Sequence, residues 1–345
     1  MKSPIKSIEK KRILVSPLNW GLGHVTRTIP VINQLIKQEN EVLICCSSAQ
    51  EFFYRDFFPD LWYITHEGYP FSFKGKGNWT SDILLNYFKL KRFKKKEQKK
   101  IEKWVAIFNP DLIISDQRFG FYHTDVKSVI ISHQLTLPLP KWNFVGQFIN
   151  TACLRKFDEV WVPDDPDHKL SGALSNNNKL KKEYIGWCSR FEDSEIKNGS
   201  SSYDYLAIIS GPKPYNKQFL NQIFELFGKL NKRTVIIVPS ELANSIHQYK
   251  TNCAIEVQPC FSRMEELIYS SKVIISRCGY STLMDLKRTG NKAVLVPTPG
   301  QQEQLYLAKI HSENPNWEFV ASSGLNEFFL ESAFDKLKLK KATFV

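Results

Sequence analysis

The chain has 345 residues, of which 42% are hydrophobic, and a formal charge of +12 at pH 7. This length allows two cores of about 150 residues each, so a single core is not expected. The positive charge predicts an acidic partner but does not choose among phosphorylated small molecules, anionic lipid and nucleic acid.

The cysteines and the N-terminus predict the compartment. Seven cysteines lack C-x-x-C spacing and mostly lie in apolar runs, so free thiols are expected, whereas disulfides and a zinc site are not. The apolar run 13–15 is too short for a signal peptide or a membrane span. A cytoplasmic location is therefore predicted.

Short apolar runs alternate with helical patterns along the chain, which is typical of βαβ units around parallel sheets. The runs show no polar alternation, as expected for strands buried on both faces. The predicted strands are 13–15, 42–46, 112–114, 129–131, 160–162, 205–209, 235–238, 273–275 and 293–296. The polar stretch 189–202 is too hydrophilic for a core, so the predicted α/β domains are 1–190 and 203–345.

A glycine turn follows the first predicted strand and precedes a helix predicted from about residue 27 to 38. Gly21 and Gly23 allow close approach of backbone to a ligand, and a helix N-terminus offers N–H groups to an anion. His24 could take a proton from a hydroxyl group, although a capping or anion-binding histidine is an equal alternative. A dinucleotide site is not predicted, because the fingerprint would need glycine at Thr26.

Two segments of the second half carry the most specific pattern, a strand and glycine turn at 275–285 and a proline-rich loop at 296–306. With the Gly-x-Gly-His turn at 21–24, they resemble the family-28 glycosyltransferases of the GT-B fold. That family includes the N-acetylglucosaminyltransferase that acts on the lipid-linked peptidoglycan precursor. The resemblance implies two Rossmann-like domains facing a cleft, with the acceptor on the N-terminal side and a nucleotide sugar on the C-terminal side.

The resemblance also implies a set of donor-binding residues. In the family the turn meets the diphosphate, an acid holds the ribose, and the loop grips sugar hydroxyls. The positions that match the turn and the acid are Gly279, Tyr280, Ser281, Thr282 and Asp285, the last shorter than the family's usual glutamate. The loop matches at Gln301, Glu303 and Gln304, whose polar groups suit a polyhydroxylated ring.

Further positions match the family less fully. Arg190 stands where the family has an arginine that contacts phosphate or uridine. Gly211 matches one glycine of a Gly-Gly-Ser turn, but the adjacent Pro212 cannot donate an N–H group. Phe261 corresponds to the stretch that cups the base and is equally suited to a core.

Polar side chains follow two predicted strands of the first half, Asp116 and Arg118 after one and His133 and Gln134 after the other. Ligands of open α/β sheets bind at this edge, so these residues are acceptor-side or catalytic candidates, although Asp116 and His133 could each cap a loop. The predicted catalytic set is His24, Asp116 and His133.

The resemblance implies an inverting transfer, usually from a UDP-sugar, that needs no divalent metal and no cofactor. The segment 164–167 (Asp-Asp-Pro-Asp) resembles a metal-binding motif but is interpreted as a solvated turn, because aspartates flanking a proline are common in turns.

A basic run from Lys89 to Lys103 contains nine Lys or Arg residues next to an aromatic-rich region. Ile101, Trp104 and Val105 show the spacing of a core-facing helical stripe, so a solvated helix face is one interpretation. Cations beside exposed aromatics also suit docking on anionic lipid. Docking on anionic lipid, together with a lipid-linked acceptor, predicts that the protein associates peripherally with the cytoplasmic face of a membrane.

Two other functions are alternatives to glycosyl transfer. A nucleotide-sugar epimerase of the same fold would need paired acid and base residues around the sugar, and no convincing pair is found. A basic nucleic-acid-binding protein would leave the donor motifs unexplained, and its charge is confined to one segment. Nucleic acid is therefore not an expected partner.

Overall fold

The protein is described by a computed structural model that covers residues 3–71, 73–77, 82, 85–138, 144–194, 202–248 and 253–339. These residues divide into two compact units. The first contains the described residues of 1–71 and 80–190, and the second contains those of 72–79 and 191–345.

The first unit is a parallel sheet with helices. Its strands are β1 (Arg12–Pro17), β2 (Glu41–Cys46), β3 (Trp62–Thr65), β4 (Leu112–Asp116), β5 (Lys127–Ile131), β6 (Glu159–Val162) and β7 (Lys182–Tyr184). Its helices are α1 (Gly23–Ile36), α2 (Ser48–Arg55), α3 (Tyr87–Phe108) and α4 (Phe144–Leu154), with 3₁₀ helices at Pro4–Ser7 and Gly172–Ser175. The strand order is β3-β2-β1-β4-β5-β6-β7.

The second unit repeats this architecture. Its strands are β8 (Tyr203–Ile208), β9 (Thr234–Val238), β10 (Ala254–Val257), β11 (Ser271–Ser276), β12 (Ala293–Leu295) and β13 (Trp317–Phe319). Its helices are α5 (Tyr215–Phe227), α6 (Phe261–Tyr269), α7 (Tyr280–Thr289), α8 (Gln302–Ile310) and α9 (Glu327–Leu339), with 3₁₀ helices at Ser240–Gln248 and Ser322–Gly324. The parallel strands are ordered β10-β9-β8-β11-β12-β13. The predicted α/β class with two Rossmann-like domains is confirmed.

Both sheets reverse their strand order beside the first strand of the unit. In the first unit the reversal lies between β1 and β4, and in the second it lies between β8 and β11. The loops that follow two such strands separate there, and ligands of open α/β sheets bind in the resulting crevice. The glycine turns at 21–23, 211 and 279 all follow strands that flank a reversal.

Two local features differ from the sequence predictions. Helix α1 begins at Gly23, about four residues earlier than predicted. The first turn of a helix can contain glycine, because the N–H groups of that turn have no intrahelical partner in any case.

Residues 73–77 group with the second unit, although the predicted N-terminal domain included them. The Gly77 N–H donates to the Tyr215 hydroxyl (2.9 Å), and a Cβ on Gly300 would collide with the Gly77 carbonyl. Residues 195–201 of the predicted linker lie outside the described residues.

Candidate active site

The predicted catalytic residues of the first unit lie at the carboxyl ends of adjacent strands. Asp116 ends β4 and is paired in register with Pro17 at the end of β1. His133 follows β5, the other neighbour of β4. Gly21 adopts a φ of +108°, which favours glycine, and the chain turns from β1 into α1, where His24 is the second residue.

A fourth residue, Arg27, brings these three side chains together. Its Nε donates to both carboxylate oxygens of Asp116 (2.9 Å each), and its Nη2 donates to Oδ1 at shorter range. Nη2 also lies 2.7 Å from Nδ1 of His24, and Nη1 lies 3.4 Å from Nδ1 of His133. We call His24, Arg27, Asp116 and His133 the His24 cluster.

Burial and the charges within the His24 cluster shift the pKa values of Asp116 and His24. Asp116 is fully buried and Arg27 is 3% exposed. Burial alone would raise the pKa of Asp116, but the charge of Arg27 and the interactions with His24 outweigh it, so the pKa is lowered. Burial, together with the charge of Arg27, lowers the pKa of His24 despite the opposing effect of Asp116. The cluster therefore favours a neutral imidazole beside an ionised carboxylate.

Nδ1 of His24 faces two groups that require different tautomers. It lies 3.2 Å from Oδ2 of Asp116, which can only accept a hydrogen, and 2.7 Å from Nη2 of Arg27, which can only donate one. When Nδ1 carries the hydrogen and Asp116 accepts it, the lone pair lies on Nε2. That tautomer is the one that can take a proton from an acceptor.

No role was predicted for Arg27 from the sequence. One signal was present, since residues three apart on a helix share a face and Arg27 follows His24 at that spacing. The missing information was the partner, because nothing in the sequence places the end of β4 against the first turn of α1.

Arg118 was predicted as an acceptor-side candidate, and the structure contradicts that role for its side chain. Arg118 is fully buried, and its Nε donates to Oε1 of Glu97 on α3 (2.8 Å). His66 Nε2 lies 2.8 Å from the same oxygen, and the Tyr69 hydroxyl donates to Oε2 (3.2 Å). The Arg118 guanidinium therefore connects α3 to the loop that follows β4.

Asp164 is also not the solvated residue predicted from its motif. Its side chain is fully buried and accepts hydrogen bonds from the Ser171 N–H (2.7 Å), the Ser171 hydroxyl (2.5 Å) and Nε1 of Trp187 (3.2 Å). The carboxylate holds the loop that follows β6, because it satisfies several donors at once.

In the second unit, the predicted diphosphate turn follows β11. Gly279 has φ −80° and ψ 149°, which any residue can adopt, and a Cβ there would meet only Thr282 Oγ1 at 3.7 Å. Neither backbone conformation nor packing among the described residues requires glycine. Its lack of a side chain leaves space at the first turn of α7, where N–H groups are available to an anion.

The other predicted donor residues differ in exposure. Tyr280 is buried, whereas Ser281, Thr282, Asp285 and Glu303 are half-buried. Gln304 is buried, and its Oε1 accepts from the Thr298 N–H (2.7 Å), so its carbonyl shapes the loop. Oε1 of Gln301 is buried and has no hydrogen-bond partner in the described part of the chain. That oxygen can accept from a ligand hydroxyl.

The remaining predicted positions are less specific. Gly211 has φ +102°, a conformation that favours glycine, in the loop after β8. Phe261 is the first residue of α6 and packs against the Phe191 ring at 5.2 Å, so part of it serves the core. Arg190 is half-buried at the end of the first unit.

Arg277 is a second arginine that the sequence analysis did not predict. It is 3% exposed, lies two residues before Gly279 of the predicted diphosphate turn, and lies over the Phe219 ring at 4.1 Å. Its Nη1 donates to the Val296 and Pro297 carbonyls (3.4 Å each) and to Ser322 Oγ (3.0 Å). The side chain therefore joins the end of β11 to the start of the proline-rich loop.

Comparisons with known proteins agree with these sites. Residues 210–343 match the glycosyltransferase family 28 C-terminal domain. A UDP-N-acetylglucosamine–N-acetylmuramyl-(pentapeptide) pyrophosphoryl-undecaprenol N-acetylglucosamine transferase of Bacillus cereus is 22% identical over 337 residues, covering 93% of this chain and 86% of the relative. The solved spinosyn rhamnosyltransferase SpnG covers 95% of this chain and 96% of its own length, at TM-score 0.59 and 14% identity. MurG from Acinetobacter baumannii covers 96% and 91%, at TM-score 0.54 and 14% identity.

The fold and these likenesses define a glycosyltransferase of the GT-B fold. Within that class the chain is family-28-like, since the family 28 C-terminal domain spans the loops after β8, β11 and β12. The predictions of fold, family resemblance and enzyme class are confirmed. The comparisons favour neither the epimerase nor the nucleic-acid-binding alternative.

Proposed function

We propose that this chain transfers a sugar from a UDP-sugar to a hydroxyl group of an acceptor, with inversion and without a divalent metal. The observation that carries the proposal is the contact of His24 with buried Asp116 at the sheet's strand-order reversal. A neutral imidazole held by a carboxylate is suited to general-base catalysis.

In the proposed reaction, the acceptor hydroxyl gives its proton to Nε2 of His24 while its oxygen bonds to the anomeric carbon. The bond from that carbon to the diphosphate oxygen breaks in the same displacement, so the configuration inverts and the electron pair leaves with UDP. Backbone N–H groups at the start of α7 and the Arg190 side chain would stabilise the developing charge. Asp285 would hold the ribose, and Gln301 and Glu303 the sugar.

The choice of nucleotide can be tested by ligand-induced stabilisation. The Bacillus cereus relative is named for a UDP-sugar, whereas SpnG has been solved with thymidine diphosphate. We expect UDP to raise the melting temperature more than dTDP, ADP or GDP does. At a UDP concentration a hundredfold above Kd, the free energy of unfolding should rise by about 2.7 kcal/mol. The absence of a shift with every nucleotide would contradict the donor site.

Transfer itself can be measured as UDP release from UDP-sugars, with and without a membrane extract that supplies acceptors. The His24→Ala variant should lower kcat by about 10²–10⁴-fold, the usual contribution of a general base. His247→Ala, at an exposed position in the second unit, is the matched control and should retain activity. Full activity in His24→Ala would contradict the general-base role.

We further propose a lipid-linked acceptor and peripheral association with the cytoplasmic face of an anionic membrane. No helix within the described ranges is long and apolar enough to cross a membrane. Most cations of the basic run are exposed on α3, whose buried face contains Phe93, Glu97 and Ile101. Helix α4 exposes the apolar side chains Phe144, Val145, Phe148 and Ile149. Lys94 Nζ lies 3.6 Å from Cys153 Sγ, so the two helices are neighbours.

Sedimentation with anionic vesicles tests this surface. Replacing Lys89, Lys91, Lys95, Lys96 and Lys99 with glutamine should abolish most binding, since each cation contributes about 1 kcal/mol near the membrane. The charge-matched control replaces the exposed lysines 217, 229, 232, 309 and 336 of the second unit with glutamine. Equal binding by both variants would contradict the proposed surface. Binding of the original protein should also weaken with salt.

A further inference from the structure

Arg27 contacts all three other members of the His24 cluster. It contacts both oxygens of Asp116 and approaches Nδ1 of both His24 and His133. The guanidinium is 3% exposed, so its position is fixed by these partners rather than by solvent. A planar group with several fixed donors can hold the Asp116 carboxylate in one place, and Asp116 accepts from Nδ1 of His24 in the tautomer that leaves the lone pair on Nε2.

The charges in the cluster depend on this arginine. An arginine remains protonated at any physiological pH, so Arg27 neutralises the buried carboxylate of Asp116. Without it, the carboxylate would be balanced only by protonation of a neighbouring histidine or of itself. Arg27 therefore acts together with burial in favouring a neutral His24 beside an ionised Asp116.

We propose that Arg27 is a positioning residue that keeps His24 neutral and fixes its ring against Asp116. The inference rests on the proposed function, in which neutral His24 accepts the proton of the acceptor. The charged and titratable groups that face His24 are Arg27 on its own helix, Asp116 at the end of β4, and His133 after β5. Of these, Arg27 is the permanent cation.

The test replaces the charge while keeping the volume. In the Arg27→Met variant, titration of His24 followed by NMR without substrate should move to higher pH, because the Asp116 carboxylate then favours the imidazolium. The acid limb of kcat/KM should move in the same direction. The Arg27→Lys variant retains the cation but not the planar fork, so its acid limb should stay near that of the original while kcat falls. Arg155→Met, at an exposed position, controls for loss of one positive charge.

Unchanged titration of His24 in Arg27→Met would overturn the inference. Should that variant not fold, Arg27→Gln, which retains donors without the charge, takes its place with the same expectation. The titration requires no turnover, so it tests Arg27 even if His24→Ala remains active and the general-base proposal fails. Conversely, a large loss of activity in His24→Ala with an unmoved titration in Arg27→Met would refute only the role of Arg27.

Discussion

Arg27 in the first unit and Arg277 in the second are equally buried but differ in their partners. Both are 3% exposed. Arg27 forms an ion pair with Asp116, whereas Arg277, within the part of the chain that the structure describes, contacts carbonyl oxygens, a hydroxyl and an aromatic ring. Burial lowers the pKa of Arg277 to about 10, so it remains a cation at neutral pH.

Burial of a charge has different consequences when the counter-charge is present. The Arg27 charge is largely cancelled by Asp116, so its influence is confined to the groups it touches. No carboxylate among the described residues cancels the Arg277 charge in this way, and its field in a low-dielectric surrounding extends further. Since Arg277 lies two residues before Gly279 of the predicted diphosphate turn, the uncancelled charge lies where an anionic ligand is expected.

The largest expected effect comes from removing the counter-charge of Arg27. Asp116→Ala should lower the free energy of unfolding by about 3–5 kcal/mol, because it leaves a buried cation without its partner. Urea unfolding measures this change, with Asp125→Ala as the exposed control. If Asp116→Ala lowers the free energy of unfolding no more than the control does, Arg27 does not need its ion pair with Asp116. The contrast between the two arginines would then fail.

A smaller effect is expected from removing the charge of Arg277. Arg277→Met should weaken UDP binding about tenfold, or about 1.4 kcal/mol, and leave uridine binding nearly unchanged. Arg277→Lys retains a cation and should preserve the preference for UDP over uridine. Calorimetry with uridine, UMP and UDP separates the two cases. Equal weakening of all three ligands would indicate that Arg277 only maintains the loop structure.

Gln301 also has a buried polar atom without a partner, because its Oε1 forms no hydrogen bond among the described residues. Gln301→Ala should raise the KM for the donor about two- to tenfold, the effect of one lost hydrogen bond of about 0.5–1.5 kcal/mol. The adjacent, exposed Gln302 provides the matched Gln302→Ala control. The same KM in both variants would refute the sugar contact.

The smallest expected effect is in the pH profile of the original protein. The pKa of His24 lies below its ordinary value of 6.5, so the neutral base persists as the pH falls below 6.5. The unfolded chain would bind a proton there first, so stability should decline as pH falls through 6.5. Measuring kcat/KM from about pH 5 to 8 checks the sign. An acid limb at or above 6.5 would contradict the lowered pKa.

The sequence predicted the central strands but missed those at the edges. β3 and β10 have half-exposed or exposed residues throughout, and β7 has no buried residue. These strands and β13 lie at the ends of the two sheets. A strand covered on fewer sides does not need a continuous apolar run, so the pattern that identified the central strands is absent. The helical stripe at Ile101, Trp104 and Val105 was confirmed because those side chains pack against the core.

The α/β class, the family resemblance and the positions of the glycine turns could be predicted from the sequence, because these depend on local spacing and apolar runs. The contacts of Arg27, Arg118, Asp164 and Arg277 became known only from the folded structure. A charged residue in a sequence is compatible with solvent, an ion pair or a ligand, and the choice depends on which strand ends the sheet brings together. The roles predicted for the donor residues stay predictions, and Gln301 is the position at which an unsatisfied buried oxygen supports one most directly.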